Sequence, residues 1–205
     1  MKKVGIFGGT FNPVHAGHVK AALGFIEAAG LDRLLVIPDK IPPHKIIVGE
    51  DHPEIRFHMT KLAFDEVNTE GKITVSDMEI RREGKSFSYY TMKELTEAGV
   101  GELYLYCGTD MLLSMDTWHE PNVIFSLAEI VCMRRESDAA TERALTEKAI
   151  FYRESFGATV RFLDGTPFEL SSSEVRARIA SEDTTWKDFV SPDIAAYITE
   201  RGLYR

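Results

Sequence analysis

Cysteine is scarce: the 205-residue chain holds two, Cys107 and Cys132. Two cannot build the multi-bridge framework that staples small secreted domains. Each lies in an apolar, strand-like run, so both read as buried free thiols of a reducing cytoplasm. No apolar run is long enough to span a membrane, and no segment resembles a secretory signal. A cytoplasmic location is therefore expected, with no membrane partner. Positive charge is thin as well. Lys and Arg total 24 against 32 Asp and Glu, for a net charge of −8, and no basic block exceeds a short pair. Sequence-independent binding to DNA or RNA needs a basic footprint, so no nucleic-acid partner is expected. A nucleotide can still be held by a local positive site. Internal repeats, low-complexity tracts and flexible linkers are missing too. What remains has an ordinary globular composition and enough length for one α/β domain with its own core. Homo-oligomerisation is left open.

Apolar runs alternate with segments of helical period. Val4 to Phe7, Leu34 to Ile37, Lys72 to Ser76, Leu103 to Cys107, Glu129 to Met133 and Thr159 to Leu163 read as strands. Helices are expected over Val19 to Ala29, from Asp51 and Pro53 through Arg56 to Val67, and from Ser88 to Leu95. More follow at Met111 to Trp118, Pro121 to Leu127, Asp138 to Phe156, from Ser171, and from Ser191 to Arg201. Glu79 to Lys85 reads as a charged connection. This alternation predicts an α/β fold with a doubly wound parallel sheet. The expected layout is a single domain, with a Rossmann-like body to Leu163 and a small C-terminal helical portion over 164–205.

The chemistry concentrates between the first strand and first helix, at Gly8-Gly9-Thr10-Phe11-Asn12-Pro13-Val14-His15-Ala16-Gly17-His18. Ligands of open α/β sheets sit at such carboxyl strand ends. Glycines let backbone approach a ligand. The coming helix start offers N–H donors and a positive dipole end, which favour phosphate. His15 and His18 are three apart and share a face on the first helical turn. Two imidazoles beside phosphate-binding N–H groups suit charge that grows during phosphoryl or nucleotidyl transfer. Each feature alone has a plainer reading, as a common turn or a capping histidine. Together they form neither G-x-G-x-x-G nor a Walker A loop. The stretch resembles the signature of the H-x-G-H nucleotidyltransferases, and within them the bacterial nicotinate-nucleotide adenylyltransferase family.

Four more segments carry that resemblance in order, and a tail ending Gly202-Leu203-Tyr204 completes it. Ile37 to Lys45 is similar to the family's P-x-x-x-P-P-H-K loop, whose lysine faces nucleotide phosphates. Without the resemblance, Lys45 is a solvated loop lysine; with it, Lys45 takes that role and His44 is a weaker candidate. Ser76 to Thr91 resembles the E-x-x-R-x-G-x-S-Y-T segment that helps enclose the pyridine nucleotide. Ser86-Phe87-Ser88 stands where Ser-Tyr-Thr is usual, and Tyr90-Thr91 where Asp-Thr is usual. Ser88 then faces the pyridine carboxylate. Gly108-Thr109-Asp110, with Trp118 eight residues after Asp110, resembles the family's G-x-D…W segment. Asp110 reads otherwise as a helix cap; the resemblance makes it a ribose ligand, with Trp118 near the pyridine ring and His119 by the carboxylate. Arg134, with Arg135 after strand five, is a surface charge by default and an ATP contact at most. Ser171-Ser172-Ser173-Glu174-Val175-Arg176 is a capping box on its own terms, with Ser171 as cap. It also resembles I-S-S-T-x-I-R, which holds the ATP triphosphate; a capped helix start is itself an anion site.

The resemblance implies transfer of AMP from ATP to nicotinate mononucleotide. His15, His18, Lys45 and Arg176 would be the catalytic side chains. Gly8, Gly9, Thr10, Phe11, Gly17, Arg134, Ser172 and Ser173 would hold ATP. Ser88, Gly108, Asp110, Trp118 and His119 would hold the nicotinate nucleotide. Mg²⁺ would come with ATP, bridging phosphates, for which no all-protein cage is needed. The spacing of His15 and His18 would suit zinc, yet no further ligands accompany it. Alternatives are the same chemistry on nicotinamide mononucleotide or another phosphate acceptor, and a nucleotide-sensing module without turnover. A purely structural protein leaves these motifs unexplained.

Overall fold

The computed structural model describes residues 1–43, 52–134, 138–164 and 170–205. Six strands are present: β1 (Lys3–Gly9), β2 (Arg33–Pro38), β3 (Ile73–Val75), β4 (Glu102–Cys107), β5 (Ala128–Arg134) and β6 (Val160–Asp164). They form one sheet in the order β3-β2-β1-β4-β5-β6. The pairs β1–β4, β4–β5 and β5–β6 are parallel. That is the order of doubly wound dinucleotide-binding folds, so the Rossmann-like α/β expectation is met. Val4 to Phe7 and Leu34 to Pro38 are buried without a break. Continuous burial is what strands covered on both faces require, and it explains their unalternating apolar runs.

The helices are α1 (Ala16–Ala29), α2 (Pro53–Val67), α3 (Met78–Arg81), α4 (Ser88–Glu97), α5 (Thr109–Ser114), α6 (Pro121–Leu127), α7 (Ala139–Phe156), α8 (Ser172–Ala180) and α9 (Pro192–Arg201). Asp138, Ser171 and Ser191 accept from the first-turn amides of α7, α8 and α9, as their side chains suggest. Gly157 and Gly202 close α7 and α9 at φ +67° and +62°, where a Cβ would be strained. His52 precedes α2, while Asp51 lies outside the described residues. Two elements depart from expectation. The charged stretch from Glu79 overlaps α3, whose Met78 and Glu79 are buried. A 3₁₀ segment, Thr184–Phe189, buries Trp186. Both are too short to show a period. Among the described residues no helix is long and apolar enough to cross a membrane.

Packing divides the chain into two compact units. The first comprises Met1–Phe7, Leu23–Leu35 and Phe87–Pro167. Cys107 and Cys132 are in register on β4 and β5, both buried thiols outside any disulfide. Hydrogen bonding to Cys132, with burial, raises the Cys107 thiol well above its usual range, so it stays protonated and inert. A polar knot ties α7 to the end of α5. Tyr152, fully buried, donates to the Leu112 carbonyl at 2.7 Å and receives the Asp116 amide at 3.2 Å. Lys148 Nζ lies 2.8 Å from both Asp116 oxygens and, as first cause, holds that carboxyl below the usual range.

The second unit comprises Gly8–Ala22, Val36–Ser86 and Phe168–Arg205. Its centre is Arg56 of α2, which is 0% exposed. Nη1 donates to the Thr10 carbonyl at 2.7 Å and to Asp39 Oδ1 at 3.0 Å, and Nη2 to the Lys40 carbonyl at 3.1 Å. Thr10 Oγ1 donates to Asp39 Oδ2 at 2.7 Å. The pair Arg56–Asp39 thus fixes the end of β2 and the loop after β1 to one helix.

Removing Arg56 takes the cation from Asp39 and a donor from each of two backbone carbonyls. Arg56→Ala should cost about 3 kcal/mol in urea unfolding, and Arg56→Lys should restore only part, since an ammonium lacks the planar fork. The depressed Asp116 sets a pH dependence. Its contribution is present above the unfolded-state pKa and disappears as pH falls below about 4. Asp116→Asn should flatten that acid-side loss in urea midpoints measured across pH.

Candidate functional site

The loop from Gly8 to His15 is shaped by its own residues first. A Cβ on Gly9 would come within 2.8 Å of Phe11 Cζ, so the Phe11 ring requires glycine there. No heavy atom lies within 4 Å of the Gly8 Cβ position, and Gly8 is exposed. The two expected ligand-facing glycines therefore differ: one makes room for a side chain, the other leaves backbone open. Phe11 is buried with φ +48°, a conformation that bulky residues rarely adopt. Its ring meets His18 edge-on at 5.1 Å between centroids.

α1 begins at Ala16, so His15 immediately precedes it and Gly17 and His18 lie in its first turn. The imidazoles lie together, their centroids 3.8 Å apart. His15 is buried and His18 half-buried. The Gly17 amide donates to His15 Nδ1 at 3.1 Å, and the His15 amide to His18 Nδ1 at 3.2 Å. An accepting Nδ1 carries no proton, so each ring, when neutral, bears its proton on Nε2. The spacing of three thus gives two imidazoles set by backbone amides in one tautomer, at the helix end that favours anions.

α8 grips the same loop. Ser172 Oγ donates to the Pro13 carbonyl at 3.0 Å. Arg176 Nη1 donates to the Asn12 carbonyl at 2.6 Å, and Nη2 to Ser173 Oγ at 3.2 Å. The Tyr204 hydroxyl donates to Asn12 Oδ1 at 2.6 Å. Asn12 precedes a cis bond to Pro13. Gly9, Thr10, Phe11, His15, Gly17, His18, Ser172, Ser173 and Arg176 are therefore joined within the second unit. Ser86 belongs here as well: its buried Oγ receives the Lys40 amide at 2.8 Å, and its amide donates to the Ile41 carbonyl at 2.9 Å. Lys45 and His44 lie outside the described residues.

The first unit carries the remaining candidates. Gly108 caps α5, which places Asp110 in the first turn, exposed, and not at the cap. Trp118, half-buried, donates its amide to the Met115 carbonyl at 3.1 Å and ends a 3₁₀ turn. His119 is exposed and stands among three rings: Phe87 at 4.6 Å, Tyr89 at 5.4 Å and Tyr90 at 5.9 Å. Ser88 opens α4 between the first two of those aromatics. Arg134 lies between two carboxylates, Glu142 at 2.8 Å and Asp164. Asp164, as first cause, raises its already high pKa. Arg135 is outside the described residues. Among the described residues, no three His, Cys, Asp or Glu side chains gather as a metal-holding group.

Sequence reading missed Arg56, Asp39 and the Asn12–Tyr204 pair. A signal existed for the first: Arg56 falls at helical spacing with Met59, Ala63 and Phe64, on a face the structure buries. A charge on such a face needs a partner.

Known proteins resemble the chain in sequence and fold. Residues 6–178 match the cytidylyltransferase-like family model. A protein of Trichlorobacter lovleyi named probable nicotinate-nucleotide adenylyltransferase is 36% identical, over 99% of both chains. One of that name from Clostridium novyi is 33% identical over the full length of both. Among solved structures, the Plasmodium falciparum nicotinic acid mononucleotide adenylyltransferase complexed with NaAD shares the fold. Its TM-score is 0.78 at 17% identity, covering 100% of this chain and 98% of that one. The H-x-G-H loop, its clasp by α8 and full-length similarity place the chain in the nicotinate-nucleotide adenylyltransferase family, within the cytidylyltransferase-like nucleotidyltransferases.

Proposed function

We propose that the chain transfers AMP from ATP to the 5′-phosphate of nicotinate mononucleotide, forming deamido-NAD and pyrophosphate. The observation that carries this reading is the pair of imidazoles whose Nδ1 atoms both accept backbone amides. An acceptor phosphate oxygen attacks the α-phosphorus of ATP. The bond from that phosphorus to the bridging oxygen breaks, and pyrophosphate leaves with the electron pair. The attacking oxygen is already anionic, so the step needs neither a base nor a covalent intermediate. What it needs is alignment and compensation of charge on the α-phosphate and the leaving group. Nε2–H groups of His15 and His18 supply donors there. Backbone N–H groups of Gly9, Thr10 and Phe11 and the hydroxyl of Ser173 hold phosphate. Arg176, with Lys45 by its motif, neutralises the triphosphate. Mg²⁺ enters with ATP as part of the substrate, carried on phosphate oxygens.

The acceptor is assigned to residues of the first unit. Asp110, exposed at the start of α5, offers a carboxylate for ribose hydroxyls. Trp118 and the rings around His119 offer flat apolar surface for a pyridine. Ser88 offers a hydroxyl to the nicotinate carboxylate. Relatives named for the nicotinate nucleotide, and a similarly folded protein complexed with NaAD, support that choice.

Pyrophosphate release with ATP and Mg²⁺ should be strong with nicotinate mononucleotide, weaker with nicotinamide mononucleotide and absent with phosphopantetheine. A site that hydrogen-bonds a carboxylate leaves its donors badly paired with an amide. Equal use of the two pyridine nucleotides would discard the selectivity, and ATP binding without turnover would favour a sensing module. His18→Ala should lower kcat by about 10²-fold or more. A folded His18→Ala protein with normal turnover would remove that histidine from the mechanism.

A further inference from the structure

Beyond the groups that would meet the substrates, the second unit holds a long-range contact that the phosphate chemistry does not use. The Tyr204 hydroxyl reaches Asn12 Oδ1 at 2.6 Å from 192 positions away. Four described non-glycine residues have positive φ. Two of them are aromatic and flank this contact: Phe11 at φ +48°, next to Asn12, and Tyr204 itself at φ +65°. Such backbone persists where surrounding contacts over-determine it. Here the turn is set by Gly202 and by the Leu203 amide, which donates to the Ile198 carbonyl at 3.1 Å. That closure of α9 points the next residue's side chain at the loop. α9 packs on α2, the helix that carries Arg56.

We infer that Tyr204 is a positioning residue for the histidine loop, acting through Asn12. The inference rests on the adenylyltransferase reading for its kinetic consequence. Asn12 is buried and is held by Arg176 at its carbonyl and by Tyr204 at its side chain. The main-chain bond anchors position along the loop. The side-chain bond fixes rotation about the same residue, and so the direction in which the chain leaves on either side. Toward the amino end lies Phe11, whose ring touches His18. Toward the carboxyl end lie Pro13, Val14 and His15. A small rotation at Asn12 therefore displaces both imidazoles, while Tyr204→Phe leaves the Arg176 bond to the Asn12 carbonyl intact. Misplacement of donors raises the barrier more than it weakens ground-state binding.

The test is Tyr204→Phe, which deletes one oxygen and keeps the ring. We expect kcat for pyrophosphate formation to fall about tenfold, with KM for both substrates within about threefold, as loss of alignment predicts. The thermal midpoint should stay near that of the parent. In an Asn12→Ala background, Tyr204→Phe should lower kcat no further, because the two act as one unit. A substrate-free readout accompanies this: the imidazole proton resonances of His15 and His18 should move in Tyr204→Phe. Parent-like kcat with unmoved imidazole resonances would overturn the inference, as would a lowered midpoint with unchanged kcat. A parent chain that turns over neither pyridine nucleotide would defeat the adenylyltransferase reading instead. The imidazole resonances would then still decide whether Tyr204 sets the loop.

Discussion

The second unit is arranged around a buried guanidinium. Taking a charge out of water costs several kcal/mol even after relaxation, and a buried pair is tolerated only with good geometry and satisfied hydrogen bonds. Arg56 meets most of that demand. Its two terminal nitrogens reach a carboxylate and two backbone carbonyls. Its Nε has no partner among the described residues. The arrangement is thus not the cheapest way to fill a core, and an apolar residue would pack with less penalty. What an apolar residue lacks is direction. The planar fork of Arg56 fixes the Thr10 carbonyl, and Asp39 fixes the Thr10 hydroxyl, so one residue of the loop is held at both its backbone and its side chain.

From that anchor the loop's odd features become consequences. Next to the fixed Thr10, Phe11 folds back over Gly9, whose missing Cβ leaves room for the ring. The folded-back ring supports the edge of His18. Beyond it, Asn12 and Pro13 are caught by α8, so the segment is gripped on both sides before α1 begins. Preorganisation of this kind matters because donors that need not reorganise during reaction stabilise developing charge most. The tautomers follow the same logic. Backbone amides occupy both Nδ1 atoms, which directs the remaining proton of each neutral ring to Nε2.

Much of this was legible in the sequence. The buried runs of β1, β2 and β4, the serine and aspartate caps and the glycine stops are local signals, each written within a few residues. The histidine loop was legible as chemistry because residue types and spacing are unusual together. What stayed hidden depends on contacts across the chain. Arg56 looks like one charge in a helix, and its partners Thr10 and Asp39 lie in two other segments. Tyr204 meets Asn12 from almost the other end of the sequence. On its own terms Asp110 reads as a cap because aspartate often is one, yet Gly108 takes that position and the carboxylate stands two residues on, exposed in the first turn of α5. α3, with four residues, and the six-residue 3₁₀ segment around Trp186 are too short for a repeating period to reveal them.

The first unit solves a different problem with different means. Its conspicuous groups are rings, with Phe87, Tyr89 and Tyr90 gathered around His119 at the start of α4. Flat, weakly polar surface suits a heteroaromatic ring, whereas amides and cations suit phosphate. The polar support in this unit is also different. Asp116 and Lys148, only partly buried, keep the Tyr152 hydroxyl and the turn before Trp118 in place, and this knot carries its own internal charge balance. It can hold the turn without adding net charge there. The charged hub of the second unit is likewise neutral as a pair. In each of these two pairs the charges cancel, and the side chains proposed to meet phosphate stand apart from both.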